Sequence, residues 1–337
     1  MTNELRATWL GLRANARLHE SGRMWTVLAS VSGAIYIADA EGDLLWIADD
    51  PTALHPRAIL LRDLPAARPI PGSSCSIENR CLRLREETVI ETSGAHIWLP
   101  ESLGVSRVPE PGLTKRVGDA IEQIALQAPV RGVVARTALS NEPEESRGTR
   151  PSLGTGIEAV VQRAFAPLCR VSAGCAVPAA LCGASGLVGL GEGLTPSGDD
   201  LLGGFLFTLR TLDSVLSGRL EIDWHHVEAW LQRNEERTNR ISFLVLADHA
   251  HGEASAVLSE FVHAVLEGSP QEDLVELGIA VARVGHSSGW DMLAGVRFAC
   301  SVVARMLEDP FDGRRVDAGL HQPTSRLQSR KEVARVC

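Results

Sequence analysis

The sequence predicts an α+β protein in which a small N-terminal β-barrel or sandwich-like domain precedes a larger, mostly α-helical domain. Three observations carry that expectation. Short apolar runs parted by turn residues fill positions 24 to 100, a pattern of strands rather than helices. Positions 100 to 112 hold a cluster of prolines and glycines that marks a boundary. Beyond it the apolar spacing lengthens to the helical period. With 337 residues, of which 45% are hydrophobic, the chain has room for about two domains, each able to bury a core.

In order, positions 25–31, 34–38 and 44–48 are compact apolar runs, separated by Ser32-Gly33 and Glu41-Gly42-Asp43, residues that favour turns. Runs at 58–61, 81–85 and 95–99 continue the series, with Pro69, Pro71 and Gly72 between them. Strands this short and evenly spaced suit a small antiparallel barrel or sandwich. Helical periodicity then appears at 113–128, 157–168, 200–216, 224–236, 241–266, 273–284 and 290–307. The polar stretch 141–156 reads as a mobile loop and the arginine-rich end as a loose tail. The expected domains are therefore 1–110, 111–312 and a tail at 313–337.

Composition removes several functions. Net charge is −9 and aromatics make up 4%, with Tyr36 the single tyrosine; a nucleic-acid binder needs a basic face or stacking rings. Lys115 and Lys331 are the only lysines, which leaves little scope for lysine-based chemistry. Seven cysteines show neither a Cys-x-x-Cys pair nor a zinc spacing. With no apolar window of membrane-spanning length and no signal segment, the expectation is a reduced, cytoplasmic protein with no membrane partner.

Function is sought in a repeat. Thr195-Pro-Ser-Gly-Asp-Asp-Leu-Leu-Gly-Gly204 and His286-Ser-Ser-Gly-Trp-Asp-Met-Leu-Ala-Gly295 share Ser-Gly-x-Asp-x-Leu-x-Gly, 91 residues apart. Each opens a long apolar run, so each reads as the start of a buried helix. Before the first copy, Gly189, Gly191 and Gly193 alternate, which lets backbone amides turn inward without a Cβ in the way. A helix N-terminus behind such a loop is an anion site. The segment is neither a P-loop nor a dinucleotide fingerprint, because their lysine and glycine spacings are missing.

A plain structural reading competes. Ser197 with Asp200, and Ser288 with Asp291, both fit a capping box. Capping does not call for the glycine ladder, for Asp199 beside Asp200, or for Gly204 and Gly295 at one offset inside two helices. Such glycines suggest close helix contact. Two acids at a glycine-rich mouth suit Mg²⁺ held against a phosphate, or N–H bonds accepted from an amide substrate. Between the copies, Arg237, Arg240 and Ser242 open another helix, where an arginine can grip an anion bidentately or pair with solvent-facing acids. His286 occupies the position matching Thr195 and is a candidate acid or base. His225, His226, His249, His251 and His263 lack the partners of metal ligands, and nothing activates Cys182 as a nucleophile.

Gly-Leu-Gly-x-Gly-Leu-Thr-Pro-Ser-Gly-Asp-Asp at 189–200, then Thr-x-x-Ile-Ser at 238–242 and Ser-Ser-Gly-x-Asp-x-Leu-x-Gly at 287–295, resembles a bacterial family long carried as a domain of unknown function. That family includes the third subunit of the oxamate carbamoyltransferase complex of anaerobic allantoin degradation. The likeness covers about 186–295 well and the β-rich part in outline. Glu192 departs from it, standing where many members carry proline.

The resemblance implies a share in carbamoyl transfer between carbamoyl phosphate and oxamate, giving oxalurate and phosphate, alongside partner subunits. On that reading Asp200, Asp291 and His286 are the candidate catalytic groups. Gly189, Gly191, Gly193, Thr195, Ser197, Gly198 and Asp199 would bind substrate from the first copy, Ser287, Ser288 and Gly289 from the second, and Arg240 and Ser242 from between. No cofactor is required, with Mg²⁺ the one candidate. Two other readings stay open: a non-catalytic assembly subunit, and a Mg²⁺-dependent phosphotransferase acting on a small metabolite.

Overall fold

A computed structural model describes residues 3–20, 22–85, 88–100, 112–140, 156–168 and 177–308. The chain divides into two compact units, 1–103 with 253–263, and 104–252 with 264–337. The expected loop at 141–156 (all but its last residue) and the tail at 313–337 lie outside the described residues, as do Cys169, Cys175 and Cys337.

The first unit is a closed barrel. Its strands are β1 (Asn3–Gly11), β2 (Met24–Val31), β3 (Ala34–Asp39), β4 (Leu44–Ala48), β5 (Ala58–Leu61), β6 (Ser74–Glu78), β7 (Cys81–Arg85), β8 (Thr88–Glu91) and β9 (His96–Trp98). The order β5-β4-β3-β2-β6-β7-β8-β1 closes through β1–β5 pairing, while β9 extends the sheet beside β1. Closure removes the free edges an open sheet would expose. Trp25, Ile35, Ile37, Leu45, Ile47, Ile59, Ile77, Leu82 and Ile90 fill the interior.

The barrel is not purely antiparallel, as the spacing had suggested. β1 pairs in parallel with β8 and β9, and β4 with β5. Parallel neighbours need a crossover rather than a hairpin: β4 and β5 are joined by the connection 49–57, β1 and its partners are far apart in the chain, and helix α1 (Leu12–Leu18) leads from β1 to β2. α1 buries Ala14 and Leu18. Gly11 at its start has no substitute, because a Cβ there would stand 2.0 Å from the His55 carbonyl oxygen.

The second unit is helical: α2 (Leu113–Gln127), α3 (Val133–Ser140), α4 (Ile157–Leu168), α5 (Val177–Gly183), α6 (Ser197–Val215), α7 (Trp224–Asn234), α8 (Arg240–His251), α10 (Gln271–Ala282) and α11 (Ser288–Glu308). The run expected as one helix at 241–266 is two, α8 and α9 (Ala256–Glu267). Gly252 ends α8 at φ 84°, donating to the carbonyls of Asp248 and His249, the left-handed C-terminal signature of glycine. The first turns of α9 cluster with the barrel, where the Ala256 amide donates to the Leu54 carbonyl at 2.8 Å.

α6 is buried along most of its length, from Gly198 to Leu209, as expected of a helix apolar on all sides. It crosses α11 at two glycines. A Cβ on Gly204 would lie 2.2 Å from the Met292 carbonyl oxygen, and one on Gly295 would lie 2.2 Å from that of Leu201. The matched glycines are thus where the two backbones touch.

Candidate functional site

The two motif copies meet at their N-terminal ends. Thr195 Oγ1 lies 3.1 Å from Ser288 Oγ, and Ser197 Oγ lies 3.4 Å from Ser287 Oγ. The capping box at Ser197 is not formed. Pro196 occupies the N-cap of α6 and no side chain caps it. The hydroxyls that sequence spacing assigns to capping instead bridge one helix start to the other. Gly198 and Gly289 permit this approach: a Cβ on either would lie 2.0 or 1.9 Å from the carbonyl oxygen of Leu187 or Val281.

Beneath the hydroxyls sit two carboxyls. Asp200 is 6% exposed and Asp291 0%, and each has an Oδ2 with no hydrogen-bond partner. Burial drives the Asp200 carboxyl well above the usual carboxylate range. The charges of Asp291 and Asp199 push it the same way, while the Ser288 and Thr195 hydroxyls oppose. Burial also raises Asp291, to about 7, against the opposing pull of the Ser197 and Ser287 hydroxyls and the Ala135 amide. A carboxyl in an apolar surround is protonated more readily because its anion is poorly solvated. Burial thus favours the protonated form of both carboxyls, with Asp291 titrating at about 7.

Asp291 Oδ1 accepts from the backbone N–H of Ala135 at 2.9 Å, so it also caps the first turn of α3. Gly132, at φ 82°, lets that turn close on Ser287, whose Cβ would be 2.9 Å from an added Cβ. Sequence reading missed α3, and no local signal joins residues 156 positions apart.

Asp199 has other work than meeting a ligand. Its Oδ1 accepts from the Gly189 amide at 2.8 Å, and its Oδ2 accepts from Ser242 at 2.7 Å and from Thr238. Asn239 reaches the Leu194 carbonyl at 2.9 Å. Together these bonds latch the glycine loop to the start of α8, through Thr238 and Asn239 of the polar stretch 237–242 as well as Ser242. Gly189, Gly191 and Gly193 all adopt positive φ, 73°, 120° and 101°. The Gly189 amide is consumed by Asp199, and its Cα is pressed against the Arg237 carbonyl, which a Cβ would approach to 1.9 Å.

Other candidates stand apart. His286 and Arg240 are exposed and make no hydrogen bond to the acid pair. Cys182 is disulfide-bonded, which removes it as a nucleophile and departs from the reduced state expected of the cysteines, whereas Cys75, Cys81 and Cys300 are free. His249 is buried against Gly203 and held neutral, its pKa lowered by burial to about 4. Both carboxylate oxygens of Asp199 are engaged by hydrogen bonds within the protein. No group of three or more His, Cys, Asp or Glu among the described residues is arranged to hold a metal ion. Among the described residues, no helix is long and apolar enough to cross a membrane.

Two buried carboxyls thus lie beneath two converging helix starts and beside four hydroxyls. Residues 187–300, which contain both carboxyls and all four hydroxyls, match the family described as oxamate carbamoyltransferase subunit AllH. The match supports the resemblance read from the motifs, over that stretch of the chain. No curated protein and no solved structure matches the chain.

Proposed function

We propose that this chain is a subunit of a multi-subunit carbamoyltransferase and that Asp200 and Asp291 hold the carbamoyl group as it passes between carbamoyl phosphate and oxamate. The observation that carries the reading is the pair of unpartnered, buried Oδ2 atoms in the stretch that matches the family. A carbamoyl group offers one carbonyl acceptor and two N–H donors. Protonated Asp200 donates to the carbonyl oxygen; Asp291, when ionised, accepts an N–H. In the transfer, the oxamate nitrogen forms a bond to the carbamoyl carbon and the bond from that carbon to the phosphate oxygen breaks. Asp291, titrating near neutrality, takes the proton the nitrogen sheds and passes it to the departing phosphate, as an acid–base group is best placed to do when its pKa lies close to the working pH. The reaction is cytoplasmic and needs no bound cofactor in this reading.

A second reading draws on a different observation. Among the described residues no arginine bonds to Asp200 or Asp291, so the phosphate charge has no local counterpart. The chain would then be an assembly subunit whose partner brings the cations and the chemistry. Co-purification with the partner subunits, followed by an assay of oxalurate formation, separates the two. Asp200→Asn and Asp291→Asn should each lower turnover at least a hundredfold, about 2.7 kcal/mol, in complexes that still assemble. Turnover within a few-fold of wild type in both variants would overturn the first reading in favour of the second.

A further inference from the structure

We propose that a second pocket, separate from the acid pair, binds an organic anion between Arg131 and Arg283. A cavity of about 350 Å³ lies between the end of α2 and the α10–α11 connection, lined by Arg131, Arg283, Gln127, Ile279, Ala282 and Trp290 among others. Its volume falls at the lower end of the range for small-molecule sites. The floor is apolar: Trp290 is 1% and Ala282 7% exposed. At the rim both guanidiniums are exposed, and neither joins an ion pair or hydrogen bond among the described residues. Most arginines at such positions find an acid; here two leave their forks uncommitted on the same cavity.

The backbone fixes both arms. Arg131 precedes Gly132, which is held in the left-handed region at φ 82° against Ser287. Arg283 is the C-cap of α10, its amide bonded back to Ala280 and Ile279, and Gly285 turns the chain at φ 58° two residues later. Two permanently charged planar forks over an indole and an isoleucine match a carboxylate or phosphate carried on a flat apolar body. A bare inorganic anion would use the rim and leave the floor empty. The pocket does not depend on the carbamoyl-transfer reading, because neither carboxyl of the pair lines it and none of its lining residues is among the groups that act on Asp200.

Calorimetric titration of the full chain with phenyl phosphate, benzoate and inorganic phosphate tests this. Phenyl phosphate or benzoate should bind, and the better of the two should bind several-fold tighter than inorganic phosphate. The difference between the two aryl ligands tells whether the pocket prefers phosphate or carboxylate. The double variant Arg131→Gln/Arg283→Gln, checked for an unchanged melting profile, should weaken binding at least tenfold. Asp200→Asn should leave it unchanged, which distinguishes this pocket from the acid pair. Failure of both aryl anions to bind, binding indifferent to the arginine substitutions, or binding lost in Asp200→Asn would each overturn the proposal.

Discussion

Replacing Asp291 by asparagine should make the protein more stable at alkaline pH, although it removes a group placed at the centre of the site. Asp291 is fully buried and its pKa is raised from 3.8 to about 7. Between those values the unfolded chain has lost the proton that the native state retains, so unfolding releases a proton and stability falls as pH rises. Above the native pKa the loss is complete and the curve flattens. A shift of about three units corresponds to roughly 4 kcal/mol, an upper figure because the native state relaxes around the charge. Asparagine does not titrate, and its Oδ1 can still accept from the Ala135 amide. Thermal melts at pH 4.5, 6.5 and 8.5 are the assay. The two proteins should agree within about 1 kcal/mol at pH 4.5, and the variant should melt several degrees higher at pH 8.5. Curves that run parallel across all three values, or a variant less stable at pH 8.5, would refute the argument that burial sets this carboxyl's charge.

Asp199→Ala should destabilise the helical unit by about 3 kcal/mol or more in chemical denaturation, since it strands the Gly189 amide and the Ser242 and Thr238 hydroxyls at once. The helix crossing offers a matched pair of glycine tests. Gly204→Ala or Gly295→Ala forces a Cβ to 2.2 Å from a facing carbonyl and should cost at least about 3 kcal/mol. Gly118→Ala, inside α2 with nothing within 4 Å of the added atom, should instead stabilise by about 0.5–1 kcal/mol.

The strands at β4, β5 and β7 were legible to the residue because each is a short apolar run between strong turn signals. β1 was not. Asn-Glu-Leu-Arg-Ala-Thr-Trp-Leu-Gly mixes polar and apolar residues without a clear face, yet it closes the barrel by pairing with β5, β8 and β9. Its role is set by partners 50 to 90 positions away, which periodicity does not reach. α3 and α5 escaped for a different reason: at 8 and 7 residues they span barely two turns, and packing rather than propensity holds helices that short. Within the site, the contact of Gly204 with Gly295 was readable from their common offset. The fate of Ser197 and Ser288 was not, because a hydroxyl that caps its own helix and one that bridges to another look the same in sequence.

The departures from symmetry between the two copies matter more than the likeness. Leu201 and Met292 hold equivalent positions, and each faces the other copy's glycine with its carbonyl, which an added Cβ would approach to 2.2 Å, so the two helix starts form a local two-fold. On one side Gly198 packs on Leu187, eleven residues back; on the other Gly289 packs on Val281, eight residues back. The extra length is the glycine loop; just after it, in α6, stands Asp199, whose counterpart in the second copy is Trp290. The first carboxyl of the pair therefore has a second acid beside it and receives no backbone donor, while the second receives the Ala135 amide. Burial raises both carboxyls, Asp200 well above the carboxylate range and Asp291 to about 7, within these unlike surroundings. The three additional residues before Gly198, the carboxylate of Asp199 and the Ala135 amide on Asp291 are therefore where the repeat stops being symmetric, and the two buried carboxyls meet unlike neighbours because of them.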